Sequence, residues 1–335
     1  MTLARSEQIN LEATPYYHVV NRCVRRSWLC GFDKSTNTDY SHRKAWIVDR
    51  LKYLADVFAI KICAYAIMSN HYHVVLHVDD KEAVIWTEDE VVRRWSCIFK
   101  QDAEKNRHLP SKINLWRERL TSISWYMRCL NEKIARDVND EDDCSGRFWE
   151  GRFKSQALLD EAALLSAMVY VDLNPIRAGT AKTLETSEFT SIYERIQCIS
   201  KQLKLSNSKA IKQKNLEALE LNDKPTQPKT LVPFAHVSEN STNVIDFKLL
   251  DYLELVDYTG RVIRDDKQAG AIYEQLSPIL TRLQFEPNNW VSFVKTIETQ
   301  FSHAVGNEIL LINFSNGRKK YLKGTSQAKK VYATL

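Results

Sequence analysis

Two apolar runs, Ile60–Ile67 and His71–Val78, constrain the fold of this chain more than any other feature. Each has the length of a strand, and only Met68-Ser69-Asn70 separates them, which predicts a β-hairpin. The second run begins His71-Tyr72-His73, and residues two apart on a strand point to the same side of a sheet. Both imidazoles could therefore reach one divalent cation while Tyr72 packs on the opposite face. A structural histidine pair is the alternative interpretation.

Further elements can be predicted on both sides of this hairpin. A strand over 16–21 and a helix over 41–58 precede it. After it, Thr87-Glu88-Asp89-Glu90 resembles a capping box that opens a helix to about residue 100, and a second helical period covers 111–138. A strand over 146–159 and a helix capped by Asp160 and stopped by Pro175 follow. The order β-α-β-β-α-β-α predicts an α+β fold of ferredoxin-like kind, an antiparallel sheet with helices on its face.

The pattern after this unit predicts three parts for the chain. Residues 1–199 form the first domain, and 200–243 form a basic helix and a linker rich in proline and lysine. Residues 244–335 form a small α-rich accessory domain, with helices over 246–257, 269–283 and 288–305.

Composition limits where the protein can act. Hydrophobic residues make up 44% of the 335 and charged residues 27%, as in ordinary folded domains. No apolar run reaches the length of a membrane span, and the first residues have no apolar region typical of a secretory signal. The seven cysteines include no CxxC pair, which favours reduced thiols and a cytoplasmic location.

The positive charge is uneven. Residues 1–200 hold 28 Lys and Arg against 28 Asp and Glu, so the net charge of +5 lies beyond them. It concentrates in two lysine clusters: Lys201, Lys204, Lys209, Lys212 and Lys214, then Arg318, Lys319, Lys320, Lys323, Lys329 and Lys330. They suit phosphate contacts, with a solvated surface as the alternative. We expect the C-terminal region to strengthen DNA binding without supplying chemistry.

A second group of chemically active residues lies at the end of the predicted helix after Asp160. Tyr170 and Asn174 are four residues apart and share one helical face. A buried tyrosine and a helix stop are the plain interpretations. Together with the histidine strand, the two could instead offer a nucleophilic hydroxyl and an oxygen ligand to one ion.

Three segments together resemble a known family. HYH on a strand, WEGRFKS and YVDLNPIRAG are similar to the single-tyrosine HUH transposases, in particular the bacterial REP-associated tyrosine transposases, over about residues 14–185. The resemblance implies a ferredoxin-like domain that nicks single-stranded DNA near hairpin or repeat structures. By motif, His71 and His73 would be the metal ligands, Tyr170 the nucleophile and Asn174 the side chain that completes the metal site. Whether such a protein is a monomer or a homodimer stays open.

The residue types then suggest a mechanism. A phenol has a pKa of about 10 and is a poor nucleophile at neutral pH. A cation held by two neutral imidazoles and an amide oxygen keeps positions open for phosphate oxygens. Tyrosine attack would release a 3′-hydroxyl and leave a 5′-phosphotyrosine that conserves the bond energy for strand transfer. Mg²⁺ or Mn²⁺ fits this ligand set better than structural zinc, with Cys63 on the neighbouring strand as the exception to watch.

DNA contacts are expected near the basic segment that contains WEGRFKS. Arg147, Arg152 and Lys154 alternate there with aromatic residues that could stack on bases. Further DNA-binding candidates are Asn21, Arg22 and Arg177. Each of these could equally be an ordinary surface residue.

Two other classes of protein compete with this interpretation. An amidohydrolase-type metal enzyme would need more histidines at later strand ends, but only His108, His236 and His303 follow His77, and no β/α repeat appears. A domesticated DNA-binding regulator with the same fold would bind DNA without cutting it. A covalent protein–DNA adduct would separate this regulator from a transposase.

Overall fold

The computed structural model describes residues 8–24, 29–33, 37–213, 225–235, 243–264, 279–283, 285, 287–315 and 322–332. Within these ranges no helix is long and apolar enough to cross a lipid bilayer. All seven cysteines lie inside them, and none of the seven is in a disulfide. Most of the predicted helix over 269–283 falls outside the described residues, as do Lys214, Arg318, Lys319 and Lys320.

A five-stranded sheet lies at the centre of the described structure. The strands are β1 (Tyr16–Arg22), β2 (Phe32–Asp33), β3 (Thr38–Asp39), β4 (Ile60–Ile67), β5 (His71–Val78), β6 (Lys154–Leu158), β7 (Phe234–Ala235), β8 (Ile245–Asp246) and β9 (Ala304–Val305). The central sheet has the order β4-β5-β1-β6-β9, while β2 pairs with β3 and β7 with β8. In this order, β4 with β5, β5 with β1 and β1 with β6 pair in antiparallel fashion, whereas β9 pairs with β6 in parallel. The first strand therefore lies between the hairpin and β6.

Helices fill the connections and the C-terminal region. They are α1 (Arg43–Val57), α2 (Asp80–Ile85), α3 (Glu88–Ser96), α4 (Lys100–Asn106), α5 (Pro110–Leu120), α6 (Ile123–Glu141), α7 (Glu161–Asp172), α8 (Asn174–Arg177), α9 (Ser191–Gln213), α10 (Leu249–Ile263), α11 (Pro287–Gln300), α12 (Glu308–Ser315) and α13 (Thr325–Val331).

The helices cover the sheet on two sides. Helix α7 packs against β4, β5 and β6, and α10 and α11 pack against α7 in turn. On the opposite face the hydroxyl of Tyr72 donates to Asn131 Oδ1 of α6 at 2.6 Å, and α6 packs against α1. Tyr72 and His73 thus point to different sides of the sheet, as the alternation predicts.

Helix α7 is the central helix of the protein. Asp160 caps it, because Oδ1 accepts the backbone N–H of Ala163 at 2.7 Å. Every residue from Ala162 to Asp172 is buried, as expected for a helix that is apolar on all sides. The helix ends at Asp172, and Pro175 lies in the first turn of the short α8, where a proline needs no N–H partner.

The predicted fold class is confirmed as α+β with helices over a largely antiparallel sheet, while the ferredoxin-like assignment stays a prediction. Several element predictions were wrong in extent. The helix expected over 246–257 begins only at Leu249 and runs to Ile263, and the one expected over 288–305 ends at Gln300, before strand β9. The helix expected over 111–138 is two helices, because Ser122 caps a new one and its side chain accepts from Trp125 N. The strand expected over 146–159 is ordered as a strand only in β6, and before it Trp149 makes a single bridge with Cys23.

The C-terminal region is continuous with the rest of the described structure. Strand β9 extends the central sheet, and α11 packs on α7. Helix α9 runs through the boundary predicted at 199–200. The division into parts 1–199, 200–243 and 244–335 stays a prediction.

Candidate active site

Three histidines share one face of the sheet. In the antiparallel register Val20 lies opposite His73, and His18 lies opposite Val75. Because alternate residues of a strand point the same way, His18 and His73 are diagonal neighbours on the face that also carries His71. The rings of His18 and His73 stack with centroids 5.3 Å apart, and His18 Nε2 is 3.0 Å from His73 Nδ1.

The hydrogen bonds of Gln156 fix the tautomer of His18. The Gln156 amide nitrogen donates to the carbonyl of Phe301 at 3.2 Å, so its oxygen, 3.1 Å from His18 Nδ1, must accept. His18 therefore carries its proton on Nδ1 and presents a bare Nε2. The proton between the two rings then belongs to His73 Nδ1, which leaves His73 Nε2 bare. That buried nitrogen has no hydrogen-bond partner among the described residues.

Both of these histidines are neutral at pH 7. Burial lowers the pKa of His18, and it lowers the pKa of His73 well below the usual range, with the neighbouring His18 adding to the effect. His71 is less buried, and its pKa falls to about 4, first through burial and then through Arg22. Its Nδ1 lies 2.5 Å from Asn70 Oδ1. Neutral imidazoles are the form that binds a metal ion.

Tyr170 faces these histidines from the last turn of α7. Its ring makes edge contacts with His73 at 5.6 Å and with His18 at 6.0 Å between centroids, and it is 5% exposed. The guanidinium of Arg177 lies 4.2 Å from the ring centroid. Burial, with Glu298 as the second cause, raises the pKa of Tyr170 to about 12. The hydroxyl is therefore protonated at neutral pH.

Glu298 of α11 completes the group, and sequence reasoning did not find it. Its Oε2 accepts the Tyr170 hydroxyl at 2.6 Å, and its Oε1 is 3.3 Å from His73 Nδ1. One ligand atom each from His18, His73 and Glu298 lies within 4.8 Å of the others. His18 could have been noticed, since it interrupts an apolar predicted strand. Glu298 carries no such signal, because it is an ordinary acidic residue on an amphipathic helix.

The predicted residues Asn174 and Arg177 lie beside Tyr170. The Asn174 amide nitrogen is 3.5 Å from the Tyr170 carbonyl, and the side chain is buried. Arg177 Nη2 donates to the carbonyl of Lys295 at 3.3 Å, and its buried Nη1 has no partner within the described chain. The predicted roles of His71, His73 and Asn174 as metal ligands, and of Tyr170 as nucleophile, stay predictions.

The expected DNA-binding residues are placed differently from one another. Arg22 is exposed at the end of β1, opposite His71, and Arg152 and Lys154 are exposed just before and at the start of β6. Asn21 is buried and pairs with Tyr72, whose side chain lies on the other face. Arg147 is exposed and donates to the carbonyl of Trp149 at 2.8 Å.

The aromatic residues of this segment do not offer a stacking surface. Phe148, Trp149 and Phe153 are all buried, and Trp149 Nε1 donates to the carbonyl of Asn131 at 2.9 Å. The expectation that they stack on bases was wrong, because all three rings are buried in the core, where Trp149 packs against Tyr72 and Phe148.

Comparisons with known proteins add little to this geometry. No family model matches the chain, and no curated protein matches it. Among solved structures, it is similar to a REP-associated tyrosine transposase bound to a REP hairpin, with a TM-score of 0.35 and 11% identity. That likeness covers 55% of this chain and 79% of the other. A likeness of this size is too weak to bear on function.

Proposed function

We propose that this protein is a metal-dependent, single-stranded DNA endonuclease and strand transferase, a transposase that acts at hairpin or repeat DNA. The observation that carries the proposal is that the Tyr170 hydroxyl donates to a carboxylate while the Tyr170 ring lies against a buried pair of neutral histidines. A tyrosine nucleophile needs a proton acceptor and a partner for the phosphate charge. Glu298 could accept the proton, and a cation bound by the histidines could neutralise the phosphate charge.

Glu298 is the proton acceptor in this proposal. Tyr170 would pass its proton to Glu298 Oε2 as its oxygen forms a bond to phosphorus. The bond from phosphorus to the 3′-oxygen breaks, and the departing 3′-oxygen takes up a proton. The product is a 5′-phosphotyrosine and a free 3′-hydroxyl, and the reverse attack by a second 3′-hydroxyl completes strand transfer.

The chain's residues fit a divalent cation. His73 is 1% exposed, and its bare Nε2 has no hydrogen-bond partner in the described part of the chain. A buried nitrogen without a partner is expected where a metal ion binds. By the family motif, His71, His73 and Asn174 would hold Mg²⁺ or Mn²⁺. Such an ion would supply Lewis acidity and orientation at the scissile phosphate.

DNA would approach along the edge where β1 ends. Arg22 lies opposite His71 and Lys154 opposite Val20, so both cations lie near the histidine end of adjacent strands. With Arg152 they form an exposed basic border beside the site. Such a border suits the phosphates of a single strand that passes toward Tyr170.

A DNA-binding regulator that does not cut is the second candidate. One observation favours it, because Tyr170 is almost fully buried and its hydroxyl is engaged by Glu298. Such a protein would use the same basic border but form no covalent product.

The deciding experiment is adduct formation. The full chain is incubated with 5′- and 3′-labelled single-stranded hairpin DNA and Mn²⁺ or Mg²⁺, and denaturing gels report covalent protein–DNA complexes. We expect an adduct from the wild type and none from Tyr170→Phe, which should bind DNA within about threefold because only the hydroxyl is lost. Tyr72→Phe, on the opposite face, is the control and should keep the adduct. An adduct from Tyr170→Phe would assign the nucleophile elsewhere, and no adduct from any form would favour the regulator.

A further inference from the structure

We propose that His18, His73 and Glu298 together bind one first-row divalent cation, so that the C-terminal helix α11 supplies a metal ligand. This set shares only His73 with the ligands expected from the family motif. The inference rests on the proposed function for what the cation does in cleavage. The existence of the site is tested without DNA.

The distances suit a shared ion. His18 Nε2 is 3.0 Å and Glu298 Oε1 is 3.3 Å from His73 Nδ1, and all three ligand atoms lie within 4.8 Å of one another. Ligand atoms bound at about 2.1 Å in tetrahedral or octahedral geometry lie about 3.0–3.4 Å apart. Small shifts of these side chains would therefore place an ion among them.

His73 cannot serve two ions at once. A neutral imidazole has one bare nitrogen, and in His73 it can be Nε2 or Nδ1 depending on the tautomer. If Nε2 is bare, the ring can serve a site with His71 and Asn174. If the proton moves to Nε2, Nδ1 becomes free for the site with His18 and Glu298. The two ligand sets are therefore alternatives that mutation can distinguish.

Charge favours the set that contains Glu298 when DNA is absent. His71 and Asn174 are neutral ligands, so they would not offset the charge of a dication. A dication beside a histidine that is 1% exposed loses much of its hydration, and a carboxylate offsets part of that cost. Glu298 is the carboxylate in contact with His73.

The same helix also orients the second ligand. Gln156 donates to the carbonyl of Phe301, just beyond the end of α11, and accepts from His18 Nδ1, which keeps His18 Nε2 bare. Partners of this kind around a ligating histidine fix its tautomer and ring orientation. The end of α11 thus provides Glu298 and, through Gln156, holds His18 in the ligating form.

Two nitrogens and one carboxylate suit transition metals better than Mg²⁺. The probes are therefore Mn²⁺ and Co²⁺ alone, added to the metal-free full chain and followed by calorimetry and by visible absorption of Co²⁺. Residues that only hydrogen-bond to a metal ligand typically cost about 10- to 100-fold in metal affinity when they are replaced. Glu298→Gln and His18→Ala remove ligands themselves, so each should weaken metal binding by at least as much. Gln156→Ala should weaken it less. His71→Ala and Asn174→Ala should leave DNA-free binding within about threefold.

Glu298→Gln is the decisive variant, because a side chain that is 34% exposed is not expected to be needed for folding. Circular dichroism checks the fold of each variant. Wild-type affinity in Glu298→Gln, or binding lost with His71→Ala instead, would overturn the inference, as would no binding by the wild type without DNA. If binding depends on Glu298 but no covalent DNA adduct ever forms, the cation site stands and the proposed nuclease function fails.

Discussion

Replacement of Glu298 by glutamine tests the contact between Tyr170 and the C-terminal helix most directly. In the wild type the Tyr170 hydroxyl donates to Glu298 Oε2 at 2.6 Å. The pKa of Tyr170 is raised to about 12, first by burial and second by the negative charge of Glu298. Glutamine keeps the size of the side chain but removes its charge. The amide can still accept a hydrogen bond, but it cannot take up the phenolic proton.

The two consequences oppose each other, and their sizes decide the outcome. Loss of the charge lowers the pKa of Tyr170, but burial remains, so that pKa should stay at or above the ordinary value of about 10. Such a phenol is only about 0.3% ionised at pH 7.5. Loss of a general base costs about 10²- to 10⁴-fold in rate. The missing proton acceptor therefore outweighs the gain in acidity, and we expect slower cleavage.

Single-turnover adduct formation between pH 6.5 and 9.5, at saturating Mn²⁺ and DNA, measures this effect. The rate of Glu298→Gln should rise about tenfold per pH unit, because hydroxide must now remove the phenolic proton. The wild-type rate should depend on pH much less steeply. Glu308→Gln is a matched control, since Glu308 pairs with Lys329 on the C-terminal helices and should behave as wild type. A Glu298→Gln protein with the wild-type rate and pH profile would refute the role of Glu298 as base.

Two further predictions concern DNA binding and stability. Arg22→Ala should weaken hairpin binding, and in a salt titration the slope of affinity against salt should fall by the equivalent of about one phosphate contact. Arg136, whose side chain is 72% exposed on α6, is the control, and Arg136→Ala should change neither the affinity nor the slope. Burial raises the pKa of Asp172 from 3.8 to about 6, so the folded state holds this proton more tightly than the unfolded chain. The contribution of Asp172 to the free energy of unfolding should therefore fall by about 3 kcal/mol as the pH rises through 4 to 6. Urea unfolding should show that Asp172→Asn removes this slope, and an unchanged slope would assign it to other groups.

Local signals account for the parts of the fold that the sequence predicted well. The hairpin runs coincide with β4 and β5, and Asp160 caps α7, because each depends on apolar length or on one capping side chain. The strand expected over 146–159 was too long, since its first part is held by loop contacts. Arg147 there bonds to the carbonyl of Trp149, and Gly146 has a φ of 111°, outside the range of a strand.

At the site too, local sequence patterns predicted some positions, while others depend on contacts between distant parts of the chain. Alternation along β5 was enough to place His71 and His73 on one face, and helical spacing was enough to bring Asn174 close to Tyr170. The position of His18 depends on the register between β1 and β5, which no local pattern specifies. Glu298 is 128 residues from Tyr170 and reaches it only because α11 packs on α7.

That packing changes what can be expected of the C-terminal region. The excess of lysine and arginine beyond residue 200 led us to expect a DNA-binding accessory part without chemistry. The described residues of that region instead meet the tyrosine helix directly. Glu298 bonds to Tyr170, Tyr252 donates to buried Asp172 Oδ2 at 2.5 Å, and β9 extends the sheet beside β6. A chain cut after residue 200 would leave the buried residues of α7 without α10 and α11, so it would lose cleavage through disrupted packing as well as through weaker DNA binding. Point changes at Glu298 in the full chain separate the two roles, because they alter the chemistry while the packing of α11 on α7 is kept.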